Sequence, residues 1–163
     1  MRYRGLWIGL VAVVVGSFAL LGFFGVDMYR KAPPVPQRVV TTDGRVLFTG
    51  QEIRDGQNVW QSIGGQEVGS IWGHGAYVAP DWSADWLHRE AVFLLDLWAQ
   101  REHGKPYDAL SVEQQAALKA RLKQEIRTNT YDPATGDIVV SADRAAAIEA
   151  LSAHYAGVFG DDP

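Results

Sequence analysis

A mainly α-helical body carried on one N-terminal transmembrane helix is the fold class that three features of the sequence predict. The first is Leu6–Val26, LWIGLVAVVVGSFALLGFFGV, a run without a single charged residue. The second is a succession of helical patterns with their own start and stop signals. The third is one strong hairpin signal, Asp43–Gly44 between two β-favouring runs.

The apolar run comes first. At about 1.5 Å per residue, roughly 20 residues span a hydrocarbon core of about 30 Å. Trp7 and Tyr29 sit near its ends, where interfacial aromatics belong. A cleaved signal peptide is the alternative, but its apolar region is usually about 7–15 residues and ends in a small-x-small site. This run is longer and ends in Phe23–Phe24–Gly25–Val26–Asp27, so a retained anchor is expected. Arg2 and Arg4 flank one end and Arg30 and Lys31 the other, a nearly balanced count. The N-terminal amine and Asp27 tip it toward an N-terminus inside, with the body extracytoplasmic.

The expected division is residues 1–31 as anchor with flanks, 32–38 as a proline-rich linker and 39–163 as the body. Pro33–Pro34–Val35–Pro36 makes the linker stiff and extended. Val39–Thr42 and Arg45–Phe48 are the two arms of the hairpin. Glu52–Ile63 reads as a short helix with Ile53, Val59, Trp60 and Ile63 on its apolar face, stopped by Gly64–Gly65. Gly69–Pro80 reads as a loop. A second helix runs from about Asp81 to His103. Trp86, Phe93 and Leu97 form one apolar row on it, with Leu87, Ala91, Leu94 and Trp98 beside it. Gly104–Lys105–Pro106 stops it. Ser111-x-x-Gln114 is a capping box for a third helix, with Leu118, Leu122 and Ile126 along it. Asp132–Gly136 is a turn and Asp137–Val140 a short extended piece. Ser141 caps a fourth helix with Ile148, Leu151, Tyr155 and Val158 on one face. Gly160–Pro163 is a turn signal.

Composition narrows the function classes. The chain has no cysteine, which excludes disulfides, thiolate metal sites, Cys nucleophiles and the C-x-x-C-H haem attachment motif. Residues 32–163 hold eleven basic against eighteen acidic residues, a net charge of −7. An acidic body argues against nucleic acid as a partner. There is no G-x-G-x-x-G, Walker or G-x-S-x-G motif.

The densest signal is Gly69–Glu90, GSIWGHGAYVAPDWSADWLHRE, which holds three of the six tryptophans. Its bulky side chains suit a packed core or a docking surface. His74, His88 and Glu90 invite a metal or haem reading, but His88 and Glu90 are two apart and do not share a helix face. Hydrogen-bonded histidines in a packed loop are the plainer reading. Asp81 and Asp85 suggest a carboxylate pair for acid–base work, yet acidic residues are expected at a helix N-terminus anyway. Arg89 and Arg101 read as solvated surface. The candidate docking residues are Trp72, His74, Tyr77, Trp82, Trp86 and His88. Trp86, in a helical row, is expected to be core, and Trp72, in the glycine-rich loop, to be interface.

Residues 55–90, DGQNVWQSIGGQEVGSIWGHGAYVAPDWSADWLHRE, resemble the N-terminal extension of quinol-dependent nitric oxide reductases. The anchor, the proline link, the G-x-x-L-[FT]-[TG] element Gly44–Thr49 (GRVLFT) and the tail AHYAGVFGDDP are similar to that family too. The resemblance implies a cytochrome-c-like fold on an anchor, without the haem attachment motif, in a bacterial inner membrane. It also implies a catalytic unit of the haem–copper oxidase superfamily, in the same chain of the full enzyme or as a separate partner. That unit carries haem b, haem b3 and a non-haem iron, takes electrons from quinol and reduces two NO to N2O. It needs about a dozen apolar spans against the one here, so its metal ligands map to no residue of this chain. The expectation is a non-catalytic, docking piece of that enzyme, incomplete at its C-terminus. A stand-alone tethered binding module is the alternative. A small metal- or haem-binding enzyme using His74 and His88 is a third.

Overall fold

The computed structural model describes residues 3–160. Arg2 and the terminal Asp161–Pro163, on which parts of the charge count and the turn signal fall, lie outside the described residues. The chain divides into two compact units, Met1–Val35 and Pro36–Pro163.

The first unit is one helix, α1 (Arg4–Lys31), of 28 residues. It is long and apolar enough to cross a membrane, and none of its side chains is buried. An exposed apolar surface of this size marks a membrane or protein contact. Arg30 and Lys31 occupy its last turn, where cations favour the helix dipole, and Lys31 pairs with Asp27 at 2.9 Å.

The second unit is built from three long helices and a small sheet. Strands β1 (Arg38–Thr41) and β2 (Val46–Thr49) form the expected hairpin around Asp43–Gly44, with Gly44 at φ 86°. The strand begins at Arg38, inside the stretch read as linker. A helix, α2 (Gly50–Ser62), follows directly, then a single turn, α3 (Gly65–Val68). The segment expected to be a bare loop contains a two-stranded hairpin, β3 (Ser70–Ile71) and β4 (His74–Gly75). Two-residue strands carry no periodicity for a sequence to show. Helix α4 (Trp82–His103) is the longest of this unit, capped by Asp81 and closed by Gly104 in the left-handed region. Helix α5 (Val112–Arg127) starts at the expected capping box on Ser111. Strands β5 (Tyr131–Asp132) and β6 (Asp137–Val140) precede α6 (Ala142–Phe159), capped by Ser141.

Sheet order is β2-β1-β6-β5. The β1–β6 pairing is parallel and joins the two ends of the unit, so Arg38 lies beside Asp137 and grips it with two hydrogen bonds, 3.1 and 2.6 Å. The core has two parts. Leu94, Leu95, Trp98 and Ala99 of α4 meet Leu110, Leu118 of α5 and Ala147 of α6. Val140, Ala145 and Ile148 form the second part, covered by residues of the sheet and by Trp86. Alanines along α6 keep its surface low, which lets it lie close to α4. Trp98 is fully buried; its indole N–H donates to Asp143 at 2.8 Å and the Arg121 guanidinium lies 4.1 Å from its ring.

Several side-chain placements differ from the periodic reading. Ile53 and Val59 of α2 and Ile63 at its C-cap are exposed, and only Trp60 of that row is partly buried. Leu87 of α4 and Val158 of α6 are exposed as well. In each case a helix presents an apolar residue beyond the edge of what packs on it. Glu90, read as a possible ligand, is in the core. Arg89 and Arg101 are not merely solvated: they pair with Asp85 and Asp143 at 2.7 and 2.9 Å.

Candidate functional site

Gly69–Glu90 splits into a packed half and an exposed half, and one carboxylate joins them. Asp81 is the N-cap of α4, accepting from the Ala84 N–H at 2.9 Å. The same side chain accepts from the Ser70 hydroxyl at 2.7 Å and from the Gly73 N–H at 2.6 Å. Ser83, in the first turn of α4, accepts from the Trp72 N–H at 3.0 Å. The β3–β4 hairpin is thereby pinned to the start of α4. These bonds, led by that from Ser70, hold the Asp81 carboxyl below the usual carboxylate range. Asp85 in turn accepts from Tyr155 at 2.6 Å and from Arg89 at 2.7 Å, which lowers its carboxyl in that order. Burial and then the Asp85 hydrogen bond push the Tyr155 hydroxyl up to about 12.

The packed half is aromatic. Trp82 meets Phe159 edge-on with centroids 5.1 Å apart, and Phe159 meets Trp60 at 5.8 Å. Trp86 stacks on Tyr155 at 5.5 Å and 9°. The glycines of this region serve the indoles. A Cβ on Gly65 would enter the Trp60 ring, and one on Gly69 would enter the Trp82 ring. Tyr155 and Phe159 are four apart on α6, as Trp82 and Trp86 are on α4, so two helical rows interlock. Trp60, Tyr155 and Phe159 are site residues that the sequence reading did not single out. The spacing Tyr155-x-x-x-Phe159 is the signal that could have found the last two.

The exposed half is the hairpin tip and the strand after it. Trp72 and Gly73 are the two turn residues between the paired Ile71 and His74, with φ 54° and 73°. Positive φ at both positions is the mark of a type I′ turn, whose preferred first residue is Asn, Asp or Gly. Trp72 is the one described non-glycine residue with positive φ, a conformation that costs an L-residue about 1–2 kcal/mol. Its side chain is 75% exposed. Tyr77 and Val78 are fully exposed and His74 is exposed. Trp72 also borders an aromatic cleft of about 520 Å³ whose floor includes Trp82, Trp86, Glu90 and Arg144.

The histidines are not gathered. His74 is on the hairpin, whereas His88 lines a separate groove between α4 and α6, which His154 also lines. Glu90, 2% exposed, accepts from the Arg144 guanidinium at 2.8 Å. Among the described residues, no three His, Asp or Glu side chains are placed to hold a metal ion.

Fold and site together define a helical body with a split aromatic surface, attached to an apolar helix. Residues 36–163 match the family model of the NorB cytochrome c-like domain of nitric oxide reductase, and the chain belongs to that family. No curated protein matches the chain.

Proposed function

We propose that this chain is the membrane-anchored, extracytoplasmic part of a quinol-dependent nitric oxide reductase, and that its body docks on the catalytic membrane unit without performing chemistry itself. The observation that carries this reading is the exposed half of Gly69–Glu90, inside a body of the NorB cytochrome c-like family. Interface cores are depleted of charge and enriched in aromatics. Gly69–Pro80 contains no Asp, Glu, Lys or Arg, in a body of net charge −7.

The residues present do not fit a covalently held haem, because thioether attachment needs two cysteines and there are none. The aromatic cleft is lined without His or Met. Haem b, haem b3, non-haem iron and quinol belong, in this reading, to the partner unit. The flanking charges are nearly balanced, and the N-terminal amine and Asp27 tip them toward a body outside the cytoplasm; the family points to a bacterial inner membrane.

The test is co-purification. The anchored chain, tagged at its C-terminus, should retain the haem-bearing membrane unit of a quinol-dependent nitric oxide reductase in detergent. Recovery of the chain without that unit would leave the tethered binding module as the better reading.

A further inference from the structure

We infer that the Trp72–Gly73 hairpin tip is a preformed protein-docking knob, seated on an uncharged apolar recess of the reductase's own membrane unit, and that its unfavourable turn conformation is held for that contact. The inference rests on the docking reading above and names the surface and the residue that carry it.

The argument starts from the turn. A two-residue type I′ connection is made best by Asn-Gly or Asp-Gly. At the β3–β4 turn the first position is Trp72 instead, at φ 54°. Folding gains little from that choice, because the indole stays three-quarters exposed. Yet the backbone around it is fixed at four points: the Trp72 N–H on Ser83, the Gly73 N–H and the Ser70 hydroxyl on Asp81, and the Ser70 N–H on the Pro80 carbonyl. A strained residue that surrounding bonds over-determine, with its side chain presented outward, is the pattern of a preorganised contact.

The occupant follows from charge and tether. Trp72 to Pro80 is uncharged while the body around it is acidic, so the complement is apolar and neutral rather than basic. The body is joined to α1 by the short stretch Ala32–Gln37, which at about 3.1 Å per residue in an extended proline-rich form keeps the body within reach of the membrane surface. The matched family is a domain of nitric oxide reductase, so a protein surface of that enzyme is available at tether distance. A bilayer and a second copy are the competing occupants.

The test uses Trp72→Asn in the full anchored chain. Asn tolerates the left-handed region, so the melting temperature should rise by a few degrees, while affinity for the haem-bearing membrane unit falls at least about tenfold. A lower melting temperature would make Trp72 a folding residue and overturn the inference. Unchanged affinity would overturn it too, while leaving the docking reading intact. Failure of the unsubstituted chain to bind the unit would instead overturn the docking reading and this inference with it. Because the chain has no cysteine, Tyr77→Cys takes a single environment-sensitive fluorophore. Its emission should shift to the blue when the membrane unit is added. A blue shift in lipid nanodiscs without the unit would give the tip to the bilayer, and a concentration-dependent shift with the chain alone would give it to a second copy. Either result overturns the inference.

Discussion

Glu90 depends on one partner. Its carboxylate is in the core and Arg144 is the cation that meets it. Removing that cation leaves a buried charge uncompensated, so Arg144→Leu should cost about 3–5 kcal/mol of folding stability. Adding Glu90→Met should recover most of the loss, because an apolar pair of similar volume is often neutral; urea titration of all three proteins checks both statements. Gly69→Ala is the second sensitive change. The new methyl would displace the Trp82 indole, and overpacking of this kind costs roughly 1–3 kcal/mol. Neither site is legible in the sequence. Glu90 is the last letter of an aromatic-rich stretch, and its partner lies 54 residues away. Nothing local distinguishes Gly69, against an indole, from a loop glycine.

Elements were legible where their signals are local. The Asp-Gly hairpin, the Ser111 and Ser141 caps and the Gly104 stop each act within about four residues, and the structure shows them. Thr49-x-x-Glu52 is a capping box too, with the Thr49 N–H donating to Glu52 at 2.7 Å, and it places the start of α2 at Gly50 rather than Glu52. The burial of α2 was not legible, because its apolar row says only that one face is apolar and not that anything covers it. The pinning of the β3–β4 hairpin has a pH consequence. Asp81 is held below its ordinary value, so its stabilising effect is present above the unfolded value of about 3.9 and disappears as pH falls through the folded value. Amide exchange at Trp72 and Gly73 should therefore accelerate on acidification below about pH 4, ahead of the core amides of α4. Tyr155 works in the opposite direction. Its folded value is raised to about 12, so its contribution is complete below the unfolded value of about 10 and is lost as pH rises from there to about 12. Tyr155→Phe should flatten that alkaline loss in a melting-temperature series.

At the scale of the whole chain, a long apolar helix and a helical body with a short hairpin were the sequence expectation, and both are present. The four-stranded sheet was not expected, because β5 is two residues long and the β1–β6 partnership spans the unit. The side of the membrane is a proposal that a reporter settles. Fused after residue 163, an enzyme active only outside the cytoplasm should be active, and the body should stay in the membrane fraction. Denaturing electrophoresis with a haem stain should show no band, for want of thioether sulfurs.

Arg38 and Asp137 stand side by side in the sheet but are 99 residues apart in the chain. During synthesis at about 5–20 residues per second, β1 emerges roughly 5–20 seconds before the strand that completes its edge. Throughout that interval the β1–β2 ribbon is a two-stranded hairpin with one side open, marginal on its own and able to pair with another chain. Closure of the sheet is thus the late step of folding, and the helices α4 and α5, whose contacts are more local, are complete before it. Cells making this protein would then have reason to shield that ribbon for the seconds it waits.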